Sequence, residues 1–348
     1  MILWGTTIGL ILLSYGVTRK YENSKKAFLW LSGIIIVLVL GSRYFINGFV
    51  DEITYNYQYQ GYSKYSFEKI LNIAKDDRDW GFTLFYWAIA KIVPYQQFPI
   101  YFITGFFIFS SFRFIYYNAA DDLLAVLLIF ALGIFSFYMA GYRQCFAMCF
   151  CLFAFEYAKK KKLFSFLILC FIAITMHVSS FFFLLLYPLI NIKNDKSSMI
   201  KYTIMLVAIV VLMIFLVTYA SELFDRNYTE DKQFSLVGFL IQIVIMLVPI
   251  MFYLLGLTEK HENDEIFFRL IVLGLIIYFL KLRFFSFERL SYYYTFFTVA
   301  AFGNTVTALR KNNNADETRG VIKIISYILL LALIVWRAPS GLEFFWNC

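Results

Sequence analysis

Histidine and cysteine are scarce in this chain, two and five among 348 residues. Cys145, Cys149, Cys151, Cys170 and Cys348 make no CxxC pair and no zinc spacing. Neither a zinc site nor a dithiol redox motif is therefore expected, and the thiols read as packing groups in apolar helices. Charge is thin too: 16% of residues are charged and 61% hydrophobic, where a water-soluble domain carries about 45–50% apolar residues. Mean hydropathy is +0.71. The apolar runs do not alternate with polar residues, which excludes a transmembrane β-barrel. Helices are the other way to satisfy a backbone in lipid, so the expected fold is an all-α polytopic membrane protein. No Gly/Ser linker, low-complexity tract or convincing internal repeat interrupts it, and residues 1–348 read as one integral membrane domain. Residues 1–17 lack the basic flank of a signal peptide and a second apolar run follows soon after, so they read as the first span. The net charge of +8 calls for no nucleic acid, because basic loops on the cytoplasmic side account for it.

Those loops set the topology. Residues 18–27 hold Arg19, Lys20, Lys25 and Lys26. A short basic loop stays inside, which puts the N-terminus outside and sends residues 28–45 outward. Residues 42–97 follow as an outer loop containing an amphipathic helix at 66–74 and a partial helix at 82–93. Phe67, Ile70, Leu71 and Ala74 give the first of these one apolar face, suited to the membrane surface. The second offers only about a dozen apolar residues before Pro94, short of the ~20 that span a bilayer. Reading it as re-entrant keeps the lysine run at 159–162 inside. Spans at 98–116, 123–140, 145–158, 163–176, 178–190, 200–219, 236–257, 266–280, 292–309 and 324–335 bring the total to about twelve. The runs 163–176 and 178–190 are short, and call for a locally thinned membrane or tilted packing. In this topology Arg43, Asp51, Glu52, Asp79, Arg143, His177, Arg283, Glu288 and Arg289 all fall at the outer face.

Arg143 is the most telling of these. It stands in a polar turn, Met139-Ala-Gly-Tyr-Arg-Gln-Cys-Phe-Ala147, between two apolar runs. An arginine at membrane depth costs roughly 2.5–3.5 kcal/mol, so it either meets an anion or snorkels to the headgroups. Several guanidinium forks hold a phosphate best. Arg143 and Arg289 lead, with Arg43 and Arg283 behind them. Asp51, Glu52 and His177 are the candidate proton acceptors, and an imidazole suits that task near neutral pH. Blander roles stand beside these: a solvated Asp51–Glu52 pair, a helix-end His177 bonded to a carbonyl, and Asp79 as N-cap of the partial helix. Asp121 and Asp122 read as a cap with dipole compensation, and His261 as a solvated loop residue. The run Asp76-Asp-Arg-Asp79 is a weak metal motif, and no metal or other cofactor is expected.

Taken together, Arg43…Asp51-Glu52…Tyr55, Asp79-Trp-Gly-Phe82, Tyr142-Arg143-Gln144-x-x-Ala147, His177-Val-Ser179 and Glu288-Arg289-x-x-Tyr292 resemble the EpsG-like family of Wzy-type polysaccharide polymerases. The resemblance covers roughly residues 28–310. It departs from the family pattern in a longer spacing from Arg43 to Asp51, a displaced Gly48, and Asp79-Trp in place of the more usual Glu-Pro. It implies a multi-pass protein of the bacterial cytoplasmic membrane with a GT-C-like architecture. Such a protein transfers a growing exopolysaccharide, capsule or O-antigen chain from undecaprenyl pyrophosphate onto a newly flipped lipid-linked repeat unit at the outer face. By this resemblance Asp51 or Glu52 is the catalytic acid in the first outer loop, with His177 the other candidate base. Arg143 and Arg289 meet the donor pyrophosphate, and Arg43, Arg283, Gln144, Tyr55 and Tyr292 support phosphate or sugar. The expected partners are lipid-linked glycans, membrane lipids, a chain-length regulator and a flippase. A lipid-linked oligosaccharide flippase or other transporter, an O-antigen ligase and a membrane acyltransferase are the alternatives. A transporter should show repeats and midplane charges. A ligase shares nearly all the chemistry, and His177 is on the wrong side for a cytoplasmic acyl donor.

Overall fold

The computed structural model describes residues 2–46, 48–49, 51–192, 196–223, 235–258, 263–283, 286–309, 315–339 and 342. Among these the chain is helical throughout, and its one extended pairing is an isolated bridge between Thr258 and Leu309. The helices are α1 (Ile2–Thr18), α2 (Ser24–Gly41), α3 (Glu52–Lys64), α4 (Phe67–Asp76), α5 (Trp80–Ile92), α6 (Phe98–Asn118), α7 (Asp122–Ala131), α8 (Ile134–Ala140) and α9 (Tyr142–Lys159). They continue as α10 (Leu163–Met176), a 3-10 segment (Val178–Leu185), α11 (Leu186–Asn191), α12 (Lys196–Leu223), α13 (Leu236–Leu254), α14 (Asp264–Leu280), α15 (Ser286–Thr295), α16 (Thr298–Thr307) and α17 (Ala315–Trp336).

All ten residues of α7 are buried, and most of α9 is too. A helix apolar on every side belongs in the interior of a bundle, as α7 does, packed on α16 and α17, while α9 packs on α10 and α6. The outermost helices turn apolar stripes outward instead. Ile204, Val207, Val211 and Phe215 on α12 are exposed, as are Val321, Ile324 and Ile328 on α17. Such stripes at helical spacing need lipid against them. The protein is an all-helical membrane protein. α2, α6 and α13 are long and apolar enough to cross a bilayer, and α7 with α8 makes a fourth if the bent pair counts as one span.

Three expected spans are not single α-helices. Residues 123–140 divide into α7 and α8, bent by 53°. Gly133 sits at the break with φ +71, a conformation that costs glycine little. Arg337 donates to Ala131 O and Gly238 O, each at 3.0 Å, and so satisfies a carbonyl freed at the end of α7. Residues 178–190 begin as 3-10 helix, and residues 292–309 divide at a turn through Phe296 and Phe297, both fully buried. Since α15 starts at Ser286, Glu288 and Arg289 ride on a helix rather than in an outer segment. The amphipathic helix expected at 66–74 is α4, where Ser66 Oγ caps Lys69 N and Ile70 and Ala74 turn inward. The partial helix is α5, 13 residues long. Asp121 caps α7 through Leu124 N at 3.0 Å.

Side chains from distant loops meet at the two ends of the bundle. At one end Lys25 donates to Ala119 O at 2.6 Å, Lys159 to Asn118 Oδ1 at 2.6 Å, and Lys323 pairs with Asp121 at 2.5 Å. At the other end Arg43 is buried against Glu52. Its Nε lies 2.9 Å from both Glu52 oxygens, and Nη2 also contacts Oε1. Nη1 donates to Leu40 O at 2.6 Å and Thr104 Oγ1 at 3.1 Å. Glu52 accepts further bonds from Phe49 N at 3.0 Å and from the Tyr142 hydroxyl at 2.9 Å. Gln97 closes the knot by donating to Gly41 O at 2.9 Å and Arg43 O at 2.7 Å. The end of α2 and the starts of α3, α6 and α9 are thereby held together. Such a pair gains little net stability, yet stranding one partner costs about 3–5 kcal/mol. Glu52→Ala is therefore expected to lower the thermal unfolding temperature of the detergent-purified protein sharply. The double variant Arg43→Met with Glu52→Met should recover most of that loss, and equal Tm values for single and double variants would contradict the account.

Candidate functional site

Arg143 lies one residue beyond Tyr142, in the first turn of α9, so the buried knot positions it directly. Its Nη1 donates to Asp77 Oδ1 at 2.8 Å and lies 3.3 Å from Asp79 Oδ2. The guanidinium rests over the Phe82 ring at 5.5 Å. Nε and Nη2 have no partner among the described residues, and the side chain is 21% exposed. One edge of the fork is thus fixed by carboxylates and the other is open.

Asp79 joins three elements. Its Oδ1 accepts from Val178 N at 2.9 Å, and its Oδ2 lies 3.0 Å from His177 Nδ1. Asp77 is fixed as well, accepting from Thr83 Oγ1 at 2.6 Å and Asp79 N at 3.0 Å. Gly81 explains how α5 comes so near α10. A Cβ there would stand 2.4 Å from Thr175 Oγ1 and 2.9 Å from Thr175 O, so only glycine lets the start of α5 press on the last turn of α10. His177 follows that turn in extended conformation, φ −158 and ψ 118, which carries its ring across to Asp79. Asp79 does occupy the N-cap position of α5, but its side chain makes no cap bond. The carboxylate is given to His177, Val178 and Arg143 instead.

Aromatic groups close the surroundings. Tyr55 stacks on Tyr142 with centroids 4.7 Å apart, Tyr292 stacks on Phe137 at 4.2 Å, and Ser179 Oγ meets Tyr293 OH at 3.1 Å. Gln144 Nε2 donates to Arg289 O at 2.7 Å, which ties α15 to α9 one residue from Arg143. Burial pushes the Tyr55 phenol up to about 12, so it is a proton donor at neutral pH. Burial alone would raise Asp77 and Asp79, but both stand below the usual carboxylate range. Hydrogen bonds from Arg143, Thr83 and Asp79 N outweigh it at Asp77, and those from His177 and Val178 N with the Arg143 charge outweigh it at Asp79. Among the described residues no three His, Cys, Asp or Glu side chains form a set able to hold a metal.

The family model that matches is that of the EpsG family, over residues 7–347. The chain belongs to the EpsG family. This is a Wzy-like polymerase family, and the match covers nearly the whole chain, beyond the stretch that carries the motifs. No curated protein and no solved structure matches the chain.

In this EpsG-family chain the residues singled out from sequence fall into distinct places. Arg143, His177 and Tyr55 come together with Asp79, while Gln144 turns to the Arg289 carbonyl. Arg43 and Glu52 are fully buried and engaged with each other. Asp51 is exposed at the start of α3 and makes no cap bond. Arg289 is exposed on α15, Arg283 is exposed after α14, and Tyr292 is buried. Glu288 pairs with Lys281 at 2.7 Å. His261 lies outside the described residues. Asp77 was read only as part of a weak metal run, and Asp79 as an outer-face motif residue and candidate cap, neither as a partner of Arg143. The available signal was the Asp-x-Asp spacing of residues 77–79 ahead of Trp80-Gly81.

The depressed carboxyls fix a sign. A carboxyl held below its ordinary value of 3.8 adds stability that is present in full above that value and is lost as pH falls through the folded-state value. The purified protein should lose thermal stability on acidification below about pH 4. Asp77→Asn and Asp79→Asn should each flatten that acid limb, as read from Tm against pH, and an unchanged slope in both would refute the linkage.

Proposed function

We propose that this chain is a membrane glycosyltransferase of the bacterial cytoplasmic membrane. It polymerises undecaprenyl-pyrophosphate-linked oligosaccharide repeat units at the outer face, within a GT-C-like frame that crosses the membrane about twelve times. The observation that carries the reading is the continuous link from Arg143 through Asp79 to His177. A fixed anion binder and an oriented imidazole stand side by side at the end of the bundle away from the lysine-rich loops.

In the proposed reaction a hydroxyl oxygen of the lipid-linked acceptor bonds to the anomeric carbon of the donor glycan. The bond from that carbon to the pyrophosphate oxygen breaks, and undecaprenyl pyrophosphate leaves with the electron pair. His177 Nε2 takes the hydroxyl proton, while Asp79 holds Nδ1 in its protonated tautomer and fixes the ring. The open edge of Arg143 meets a donor phosphate oxygen as negative charge builds there. Asp77 and Asp79 together outweigh the single charge of Arg143, so a diphosphate needs more cation than Arg143 supplies. Arg289, exposed on α15 and tied to Gln144 through its backbone, is assigned that part, with Arg283 behind it. Tyr55 and the neighbouring aromatic rings offer faces for sugars. His177 is preferred to Glu52 as base because Glu52 is buried and saturated with donors. It is preferred to Asp51 because no partner among the described residues orients that exposed carboxylate. A flippase that delivers the repeat unit and a chain-length regulator would act beside it.

The deciding assay uses purified protein with a synthetic undecaprenyl-pyrophosphate repeat unit, without nucleotide sugar or metal. A ladder of products one repeat apart supports polymerisation. A single transfer onto another acceptor means a ligase, and lipid flipping in proteoliposomes without any ladder means a transporter. Arg143→Ala should cut the ladder rate about 10²–10³-fold. His177→Ala and Asp79→Asn should each cut it about 10²–10⁴-fold, whereas Asp51→Asn should leave it intact. A ladder that survives His177→Ala and vanishes in Asp51→Asn would move the base to α3.

A further inference from the structure

A groove of about 600 Å³ runs between α2 and α6, on the outside of the bundle and away from the Arg143 site. Its floor is made where the two helices come close at Gly33 and Gly105. A Cβ at Gly33 would stand 3.4 Å from Ile108 and Phe112, and one at Gly105 3.8 Å from Val37. The walls are Trp30, Ile34 and Leu38 on α2 and Phe109 on α6, all exposed. The spacing of Trp30, Ile34 and Leu38 along one helical face makes a continuous apolar track. From Lys26 to Leu38 that track rises about 18 Å, close to the ~15 Å hydrocarbon depth of one leaflet.

The track is not apolar at both ends. Lys26 and Arg113 line one end, beside Tyr116 and Tyr117. Arg113 lies over the Tyr117 and Phe153 rings at 5.2 and 5.5 Å. Neither Lys26 nor Arg113 makes an ion pair among the described residues, and no carboxylate lines the groove. Glu22 belongs to a separate hollow that shares Lys26 and Trp30. This end is the one where Lys25 bonds Ala119 O and Lys159 bonds Asn118, which positive-inside charge assigns to the cytoplasm.

We propose that the α2–α6 groove is a binding site for one anionic glycerophospholipid of that leaflet. One acyl chain lies along Leu38, Ile34 and Trp30, and the phosphate sits between Lys26 and Arg113. A one-leaflet track with two uncompensated cations at the headgroup level matches a phosphate with an acyl tail. A second copy docked by two-fold symmetry through this face would set like charges against like, so the lipid is the occupant that the charges favour.

The test is native mass spectrometry of the delipidated full-length protein, titrated in turn with phosphatidylglycerol, phosphatidylethanolamine and undecaprenyl phosphate. Phosphatidylglycerol should be retained preferentially, at one molecule per chain. Lys26→Gln combined with Arg113→Gln should weaken its retention about 30-fold and leave phosphatidylethanolamine unchanged. Ile34→Trp fills the track from its exposed wall without touching the floor, and should displace both phospholipids; Gly105→Leu should do the same from beneath. Equal retention of the two phospholipids by the unmodified protein would overturn the proposal. So would preference for undecaprenyl phosphate, an unchanged affinity in the charge variant, or a dimeric mass that excludes lipid.

Discussion

The structure depends first on a buried charge that cannot be left alone. Arg43 comes off the end of α2 with no exposure, and its guanidinium needs an anion and acceptors where water cannot reach. Glu52, Thr104 and Leu40 O supply them. Each ligand fixes an element: Glu52 starts α3, Thr104 is in α6, and Tyr142 completes the Glu52 shell from the first turn of α9. The arrangement stabilises little in sum, because the two ions lose about as much hydration as they regain from each other. Its value is geometric. A register slip of α3 or α9 would strand a buried charge, so the knot selects the one arrangement in which Arg143, next along α9, faces the loop before α5.

From that point the site follows by contact rather than by independent placement. Arg143 pulls on Asp77 and Asp79. Asp79 in turn holds His177 and Val178 N. Gly81 permits the approach, since any side chain there would meet the Thr175 backbone. A cation, two carboxylates and an imidazole therefore form one connected unit drawn from three segments. The carboxylates keep Arg143 ionised and aimed, and at the same time lower the net charge that the unit offers to an anionic ligand. That balance is why an accessory cation on α15 belongs to the functional reading.

The sequence carried much of this. Uniform apolar runs marked nearly every helix, and Ser66, Pro94 and Asp121 marked boundaries where the structure has them. The isolated polar turn around Arg143 drew attention for a sound reason, since an arginine is expensive there. Three kinds of feature were hidden. The breaks within residues 123–140 and 292–309 leave hydropathy unchanged, because a left-handed Gly133 or a buried Phe296-Phe297 turn is as apolar as a helix. Helix α3 buries Glu52, Asn56, Tyr59 and Tyr62, which have helical spacing but are polar or amphipathic, so a search for apolar periodicity passes over them. Asp79 satisfied a local explanation as a cap, and only the three-dimensional contact with His177 shows where its carboxylate goes.

Helix length then bears on depth. α10 has 14 residues and starts just past the lysine run at 159–162, which anchors in a headgroup layer. Fourteen residues rise about 21 Å, some 9 Å less than the thickness of a ~30 Å hydrocarbon core. The chain turns back at once through a 3-10 segment, which lengthens rise per residue and lets eight residues do the work of more. α5 packs against α10 at this point, and α3 and α4 pack against α5 in turn. α10 thus ends in a polar cluster, where Asp79 takes the His177 ring and the Val178 amide and Arg143 takes both carboxylates, so that each group carried into the apolar bundle finds a partner there.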